Sequence, residues 1–234
     1  MSKVAFYIDG FNFYFGIKRS FEASNGAKWG CAYWIDVVSF CKSFLSEGQE
    51  LVKVVYFTAS PLDIDKSSRQ SAFLNANKEL NGDSFEIVRG EYFTKDVECP
   101  HCGFHFKRPE EKKTDVNISV RMIADCVQKK VDSIVLVSAD TDLIPPLEFI
   151  LTNYPEVKMK VYFPPANSSR CIKDFGFRNK LKVKELVNNV DRFYRAKMPD
   201  SVGSYAIPPE WKRKQVLAEA FFEKRPNGPE IRVR

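Results

Sequence analysis

A chain of 234 residues, 44% of them hydrophobic, can bury a real core, which excludes a disordered protein and fits one ordinary domain plus a tail better than two full domains. Its 36 basic and 30 acidic residues leave a net charge of +6, compatible with an anionic partner such as nucleic acid but too small an excess to require one. No apolar run approaches the roughly 18 residues of a membrane span, and the N-terminus enters a strand pattern without signal-peptide character, so a soluble cytoplasmic protein is expected.

Residues 3 to 8 alternate towards a buried strand that stops at Asp9-Gly10, where glycine permits a tight turn and a close backbone approach. Phe11, Phe13, Tyr14 and Phe15 open a short helix ending near Arg19; they read either as core aromatics with one or two exposed or as a surface on which bases stack. Asn12, polar among aromatics and three residues after Asp9, turns its amide back to the same turn or makes a helix-terminal hydrogen bond. Residues 20 to 33 carry Gly, Ser and Asn and read as a loop. Trp34 to Leu45 has helical spacing with Asp36 in its first turn, and Leu51 to Thr58 is a second strand. Lys66 to Leu80 is a polar-faced helix with Arg69 and Gln70 on its solvated side, and Phe85 to Phe93 is a third extended segment. Such alternation indicates parallel β-α-β units.

Between Thr94 and Arg108 the periodicity breaks, and Cys99-Pro-His-Cys-Gly103 appears with His105 beyond. The turn aims two sulfurs at one point, as a zinc knuckle does, with His101 or His105 as a third ligand. Structural zinc takes four, so the last would come from a distant Cys or from another subunit, which would make the protein a homodimer. A β-hairpin with two free or paired thiols is the other reading. The remaining cysteines, Cys31, Cys41, Cys126 and Cys171, are scattered, several of them in apolar runs, which suits reduced thiols better than a disulfide framework.

Thr114 to Lys130 is a helix with Asp115 at its start, where an acid also suits the helix dipole and free amides. Asp125, ten residues on, stands about 15 Å further along a straight helix and is left out of any shared site. Ile134 to Val137 is too apolar and too short for anything but a buried strand, and helical spacing resumes at Leu143, so Ser138, Asp140 and Asp142 occupy a strand-to-helix turn. Ligands of open α/β sheets bind at such turns. Val157 to Phe163 is a further strand, and Asn167 to Arg170 opens a helix. Lys180 to Val190 is short and basic, and Trp211 to Phe222 reads as a short helix within a basic tail. A domain over residues 1–195, an insertion at about 94–108 and a tail over 196–234 follow.

Asp9-Gly-Phe-Asn12 after the first strand, Glu111-Lys-Lys-Thr-Asp-Val-Asn-Ile118 opening a helix, and Ser138-Ala-Asp-Thr-Asp-Leu143 after a later strand together resemble the NYN-domain family of the bacterial LabA-like type, relatives of the PIN-domain nucleases. The resemblance spans about residues 3 to 165. It implies a PIN-like three-layer α/β fold with a mainly parallel central sheet, and a metal-dependent ribonuclease. Asp9, Asp115 and Asp140 match the family's acidic positions, with Asn12, Ser138 and Asp142 beside them. Where many relatives carry a further acid six or seven residues after the Asp115 position, this chain has Arg121 and Met122. Ser-Ala-Asp stands in place of the expected Ser-Gly-Asp, and a Cys-x-x-Cys turn before the Glu-Lys motif is similar to a feature of one bacterial branch.

Hydrolysis of RNA needs an activated water and neutralised phosphoryl charge, for which Mg²⁺ or Mn²⁺ on Asp oxygens is suited. Lys112 or Lys113 would contact the RNA backbone. Two other readings compete: a non-catalytic nucleic-acid-binding or scaffold protein of the same fold, and a haloacid-dehalogenase-like phosphatase built on Asp140-Thr-Asp142. The phosphatase ranks last, because Ser138 and Ala139 intervene after the strand and no Asp-Asp pair follows.

Overall fold

In the strand β1 (Ser2–Asp9), Val4, Phe6 and Ile8 face one apolar cluster while Ala5 and Tyr7 face another, so the sheet is covered on both sides. The computed structural model describes residues 1–224, apart from the side chain of Pro109. Six strands form the central sheet in the order β3-β2-β1-β6-β7-β8. The others are β2 (Gln49–Thr58), β3 (Phe85–Arg89), β6 (Ser133–Val137), β7 (Lys158–Phe163) and β8 (Lys182–Glu185). All five pairings are parallel. The PIN-like α/β architecture expected from the resemblance is therefore present, with helices on both faces. Chain order runs outwards from β1 to β3, then restarts at β6 on the other side of β1. The crevice between β1 and β6 is thus the topological switch point.

One layer contains α1 (Gly10–Glu22), α2 (Val37–Lys42), α3 (Ile64–Asn81), α7 (Val190–Arg195) and α8 (Pro209–Glu223); the other contains α4 (Thr114–Val127), α5 (Ile144–Asn153) and α6 (Arg170–Arg178). A separate hairpin of β4 (Glu91–Glu98) and β5 (His105–Lys112) leaves the sheet after β3 and returns at the start of α4. Two short strands, β9 (Ser201–Val202) and β10 (Tyr205–Ala206), precede α8.

Several expectations are corrected. Residues 20–33 are not an open loop: Gly26–Tyr33 is a 3-10 helix that buries Trp29, Cys31 and Tyr33. Its polar and glycine content misled because Gly30 is there for proximity, its absent Cβ leaving room for the α8 backbone at Lys214. The helix expected from Trp34 starts at Val37, since Asp36 caps it by accepting from the N–H groups of Val38 and Ser39 at 3.0 and 3.1 Å. Phe85 to Phe93 is not one extended segment but two strands in different sheets, divided at Gly90. Gln70 is not solvated; its amide donates to Thr58 Oγ1 and to the Ala59 carbonyl at 2.9 and 3.2 Å.

The stretch after residue 195 is not a loose tail as far as Glu223. Trp211, Gln215, Ala218 and Phe222 recur at helical spacing and are buried against the first layer. Two basic residues there are already engaged: Lys212 pairs with Asp200, and Lys214 pairs with Glu210 and stacks over Tyr33. Arg225, Arg232 and Arg234, expected as basic tail residues, lie outside the described residues.

Arg121 and Asp125 take structural parts on α4. Asp125 accepts from Tyr7 Oη at 2.9 Å and Arg121 Nε at 2.7 Å, and Arg121 also grips both oxygens of Glu86. The guanidinium holds the Glu86 carboxyl below its ordinary range. Among the described residues no helix is long and apolar enough to cross a membrane.

Candidate active site

Strand alternation brings Asp9 and Ser138 together. Ala5 and Tyr7 of β1, and Ile134 and Leu136 of β6, face the α4 side, and Asp9 and Ser138 continue those two sets. The register pairs Ile8 with Val137, so the next residues out meet, and Ser138 Oγ donates to Asp9 Oδ2 at 2.8 Å. Asp9 also caps α1, accepting from the Asn12 N–H at 3.0 Å and from Asn12 Nδ2 at 2.6 Å. The Asp140 N–H donates to Ser138 Oγ at 3.1 Å, and Asp140 Oδ1 accepts from the Asp142 N–H at 2.9 Å. Asp9, Asn12, Ser138, Asp140 and Asp142 therefore form one connected set, across which Asp9 is only 2% exposed.

Asp115 joins this set through charge. Lys113, the N-cap residue of α4, makes no side-chain cap, and Asp115 stands in the first turn, where its charge suits the helix dipole. Its carboxyl is pushed up to about 6, first by burial and then by Asp140, Asp9 and Asp142. Burial likewise raises Asp9, against the hydrogen bonds from Asn12 and Ser138 and together with the charge of Asp140. Asp125 is held elsewhere, as its distance along the helix requires.

Two residues escaped sequence reasoning as members of the site. Glu111, at the end of β5, is raised to about 7 by burial and then by Asp115 and Asp9, and it accepts from Thr114 Oγ1. Its signal was present in the Glu111-Lys-Lys-Thr-Asp115 motif, but the expected insertion stops at about 108, short of the return strand that runs on to Lys112. Asn167, after β7, donates through Nδ2 to the Asn12 carbonyl at 3.0 Å and to Asn12 Oδ1 at 3.3 Å, and so fixes the amide that holds Asp9. Its one local signal was a position just past a strand end, shared with many ordinary loop residues.

Such a group of acids offers hard oxygen ligands and an excess of negative charge, which suits a divalent cation of the Mg²⁺ or Mn²⁺ kind. Among the described residues no three His, Cys, Asp or Glu side chains stand in a ready-made ligating arrangement. The fit is therefore one of charge and donor type, with side-chain adjustment still required.

Raised carboxyl values have a consequence for stability. A carboxyl that ionises less readily when folded makes the native state hold more protons than the unfolded chain between about pH 4 and 7, so stability falls as pH rises through that window. Without divalent cations the protein is expected to melt higher at pH 5 than at pH 7.5. Glu111 and Asp115 contribute about 1 kcal/mol each after allowance for solvent screening at these half-exposed groups. Thermal unfolding in a chelator should show a shallower pH slope for Asp115→Asn; an identical slope would mean that Asp115 does not feel its neighbours.

At the hairpin tip, the Cys99 N–H donates to the Phe104 carbonyl and the Gly103 N–H to the Cys99 carbonyl, both at 2.9 Å. The expected turn exists, and donors from His101 and Cys102 hold the Cys99 thiol below its ordinary range. His105 lies opposite Glu98 in the strand register. Lys112 and Lys113 pair with Glu110 and Glu91 at 2.7 Å, exposed contacts that cost little to exchange for a phosphate.

Comparison with known proteins bears on this site. The chain is 27% identical over 198 residues to 6-hydroxy-3-succinoylpyridine 3-monooxygenase HspA of Pseudomonas putida, covering 70% of this chain and 60% of that protein. The chain thus spans about three fifths of the length of that curated relative. A crystal structure of a protein of unknown function from Vibrio parahaemolyticus superposes with a TM-score of 0.52 at 21% identity, over 79% of this chain and 91% of the other, a likeness of fold. The NYN domain family matches residues 3–196, which include both strand ends, the hairpin and the start of α4. The protein that brings its carboxylates together at this switch point belongs to the NYN-domain family, a PIN-like nuclease family.

Proposed function

We propose that the protein is a metal-dependent ribonuclease that hydrolyses RNA phosphodiesters at the carboxylates between β1 and β6. The observation that carries this reading is the mutual crowding of Asp9, Glu111, Asp115, Asp140 and Asp142, in which burial and neighbouring charge raise three of the five carboxyls. Crowded acids of this kind are relieved by a divalent cation.

Asp9, Asp115 and Asp140 would hold Mg²⁺ or Mn²⁺. When bound, the ion lowers the pKa of water and neutralises charge on the phosphoryl oxygens. Asn12 and Ser138 clamp Asp9 in one rotamer, so its ligating oxygen is placed before substrate arrives. Asp142, exposed beside Asp140, would orient the attacking water and take its proton. Glu111, with a carboxyl near neutrality, is the group best matched to receive or return a proton at physiological pH. Lys112 and Lys113, by releasing Glu110 and Glu91, would hold the RNA backbone. Cys99 and Cys102, with His105 or His101 and a ligand from a second subunit, would hold structural zinc.

A second reading, a nucleic-acid-binding protein without cleavage, is favoured by the lack of a preformed three-ligand set among the described residues. The deciding experiment offers mixed RNA and DNA pools to the purified protein, with chelator, Mg²⁺ or Mn²⁺, and measures zinc in wild type and a Cys99→Ser, Cys102→Ser variant. RNA cleavage that requires the added cation, and zinc lost from the variant, are expected. Binding without cleavage in every condition would transfer the function to the second reading, and equal zinc contents would leave the cysteines a plain turn.

A further inference from the structure

The carboxylates occupy the α4 side of the strand ends. On the α1 side, where Thr58 of β2 faces, the same rim opens into a cavity of about 370 Å³. It begins at Gly10 and Phe11, the residues immediately after Asp9. Gly10 is needed there, since a Cβ would stand 2.5 Å from both the Phe57 carbonyl and the Tyr56 ring. The walls are aromatic, with Phe11, Tyr14, Tyr33, Tyr56, Phe73 and Trp211 among them. The volume lies at the small end of ligand sites and suits one ring system.

Three lining residues carry polar atoms that are closed to solvent and have no partner among the described residues: Tyr33 Oη, Gln70 Oε1 and Trp211 Nε1. An orphan of this kind is costly, and three at one cavity call for a common explanation. For Gln70 the orientation of the amide is settled by chemistry. The Ala59 carbonyl can only accept, so the nitrogen must face it, and the oxygen is left open. Trp211 can only donate, whereas Tyr33 can do either. A flat ligand that brings a donor to Gln70 and an acceptor to Trp211 would satisfy these atoms once the side chains shift to admit it, and an anion on it would lie near Lys66 and Arg69 at the margin.

We propose that this cavity takes one unstacked nucleobase of the nucleic acid whose phosphodiester lies at the carboxylates. It rests on the nuclease reading for its choice of ligand. A base has a π-face for the aromatic walls and, on its edge, donors beside acceptors; a plain hydrocarbon ring has only the first. A strand crossing the rim places its phosphate on the α4 side and its base on the α1 side, with only the Asp9-Gly10-Phe11 turn between them. Lys66, exposed and with no partner for its ammonium among the described residues, meets the adjoining phosphate. Arg69 does so by leaving Glu210, which it faces at 3.5 Å.

The test is calorimetric binding in Mg²⁺ of the four nucleoside monophosphates, with ribose 5-phosphate and phenyl phosphate as probes that lack the base or its polar edge. Wild type should bind at least one nucleotide about tenfold or more tighter than ribose 5-phosphate, the scale of one base stacking on aromatic side chains. Phenyl phosphate should fall between, and Gln70→Leu and Tyr33→Phe should each bring the nucleotide about fivefold closer to it. Tyr33→Phe removes only a hydroxyl and keeps the test valid if Gln70→Leu fails to fold. Equal binding of nucleotide and ribose 5-phosphate, equal binding of nucleotide and phenyl phosphate, unchanged selectivity in both variants, or no binding of any probe would each overturn the proposal. None of these measurements involves cleavage. Base selectivity in a protein that never cuts RNA would keep the pocket and remove the nuclease, and cleavage without base selectivity would do the reverse.

Discussion

Asp9→Asn and Asp140→Asn are each expected to lower metal-dependent RNA cleavage by about a thousandfold or more while the protein stays folded. Removing one ligand charge forfeits several kcal/mol of stabilisation of the phosphoryl transition state, and each 1.4 kcal/mol is about tenfold in rate. The fold should tolerate both changes. In Asp140→Asn the carbonyl oxygen still accepts from the Asp142 N–H. In Asp9→Asn the oxygen facing the Asn12 N–H is retained, so the new amide nitrogen faces Ser138, whose hydroxyl can turn and accept. Asn12 must then flip, giving up its contact with Asn167, a loss of about 1 kcal/mol. Relief of a buried carboxylate offsets that loss. Melting temperature without metal should therefore stay level or rise, whereas the rise on adding Mg²⁺ should shrink. Undiminished cleavage in both variants would reduce the two aspartates to the helix caps that they also are.

Gly30→Ala is expected to destabilise the protein by about 3 kcal/mol, well beyond an ordinary surface change. A Cβ at Gly30 would stand 1.9 Å from the Lys214 carbonyl oxygen and 2.5 Å from its carbon. Both atoms are backbone, so no side chain can swing aside, and the only relief is to move α8 off the 3-10 helix at Gly26–Tyr33. That movement exposes Trp211, Ala218 and Phe222, each at most 4% exposed in the native packing. Gly48→Ala makes the matched control: its φ of +77° disfavours a side chain, but nothing lies within 4 Å. About 1 kcal/mol is expected there from backbone conformation alone. Urea unfolding of both variants measures the difference. A Gly30→Ala loss no larger than the control's would mean that α8 does not pack where it is described.

What the sequence made legible was whatever strand alternation and strand ends encode. The run Ser133–Val137 is buried throughout, as its composition requires, and Asp9 and Ser138 meet because both continue a two-residue period across a parallel pair. Asp115 was placed by helix start chemistry, and it stands in the first turn of α4 as that chemistry suggests. Features that depend on close approach were not legible. Glycines at 26 and 30 look like loop residues until the backbones that replace their side chains are known. Glu111 was missed because the return strand of the hairpin runs on to Lys112, beyond the expected insertion, and Gln70 looked solvated because its partners, Thr58 and Ala59, belong to the end of a strand outside its own helix. The C-terminal helix shows the same limit: its apolar spacing was visible, but the surface waiting for Trp211 was not.

The contact between Asp9 and Ser138 spans 129 residues of chain, and it sets an order of assembly. An N-terminal strand made first must wait for β6 before the rim between them can close, while β2 and β3 are already available on its other side. Phe11, Tyr33, Tyr56 and Phe73 all precede that moment in synthesis, as do Glu111 and Asp115; Asp140 and Asp142 do not. A polypeptide halted between α4 and β6 therefore carries the aromatic walls without Trp211, and part of the acids, with no centre in which the acids combine. If the site works as proposed, a chain still short of β6 lacks the acids that complete it and leaves RNA uncut until the sheet closes.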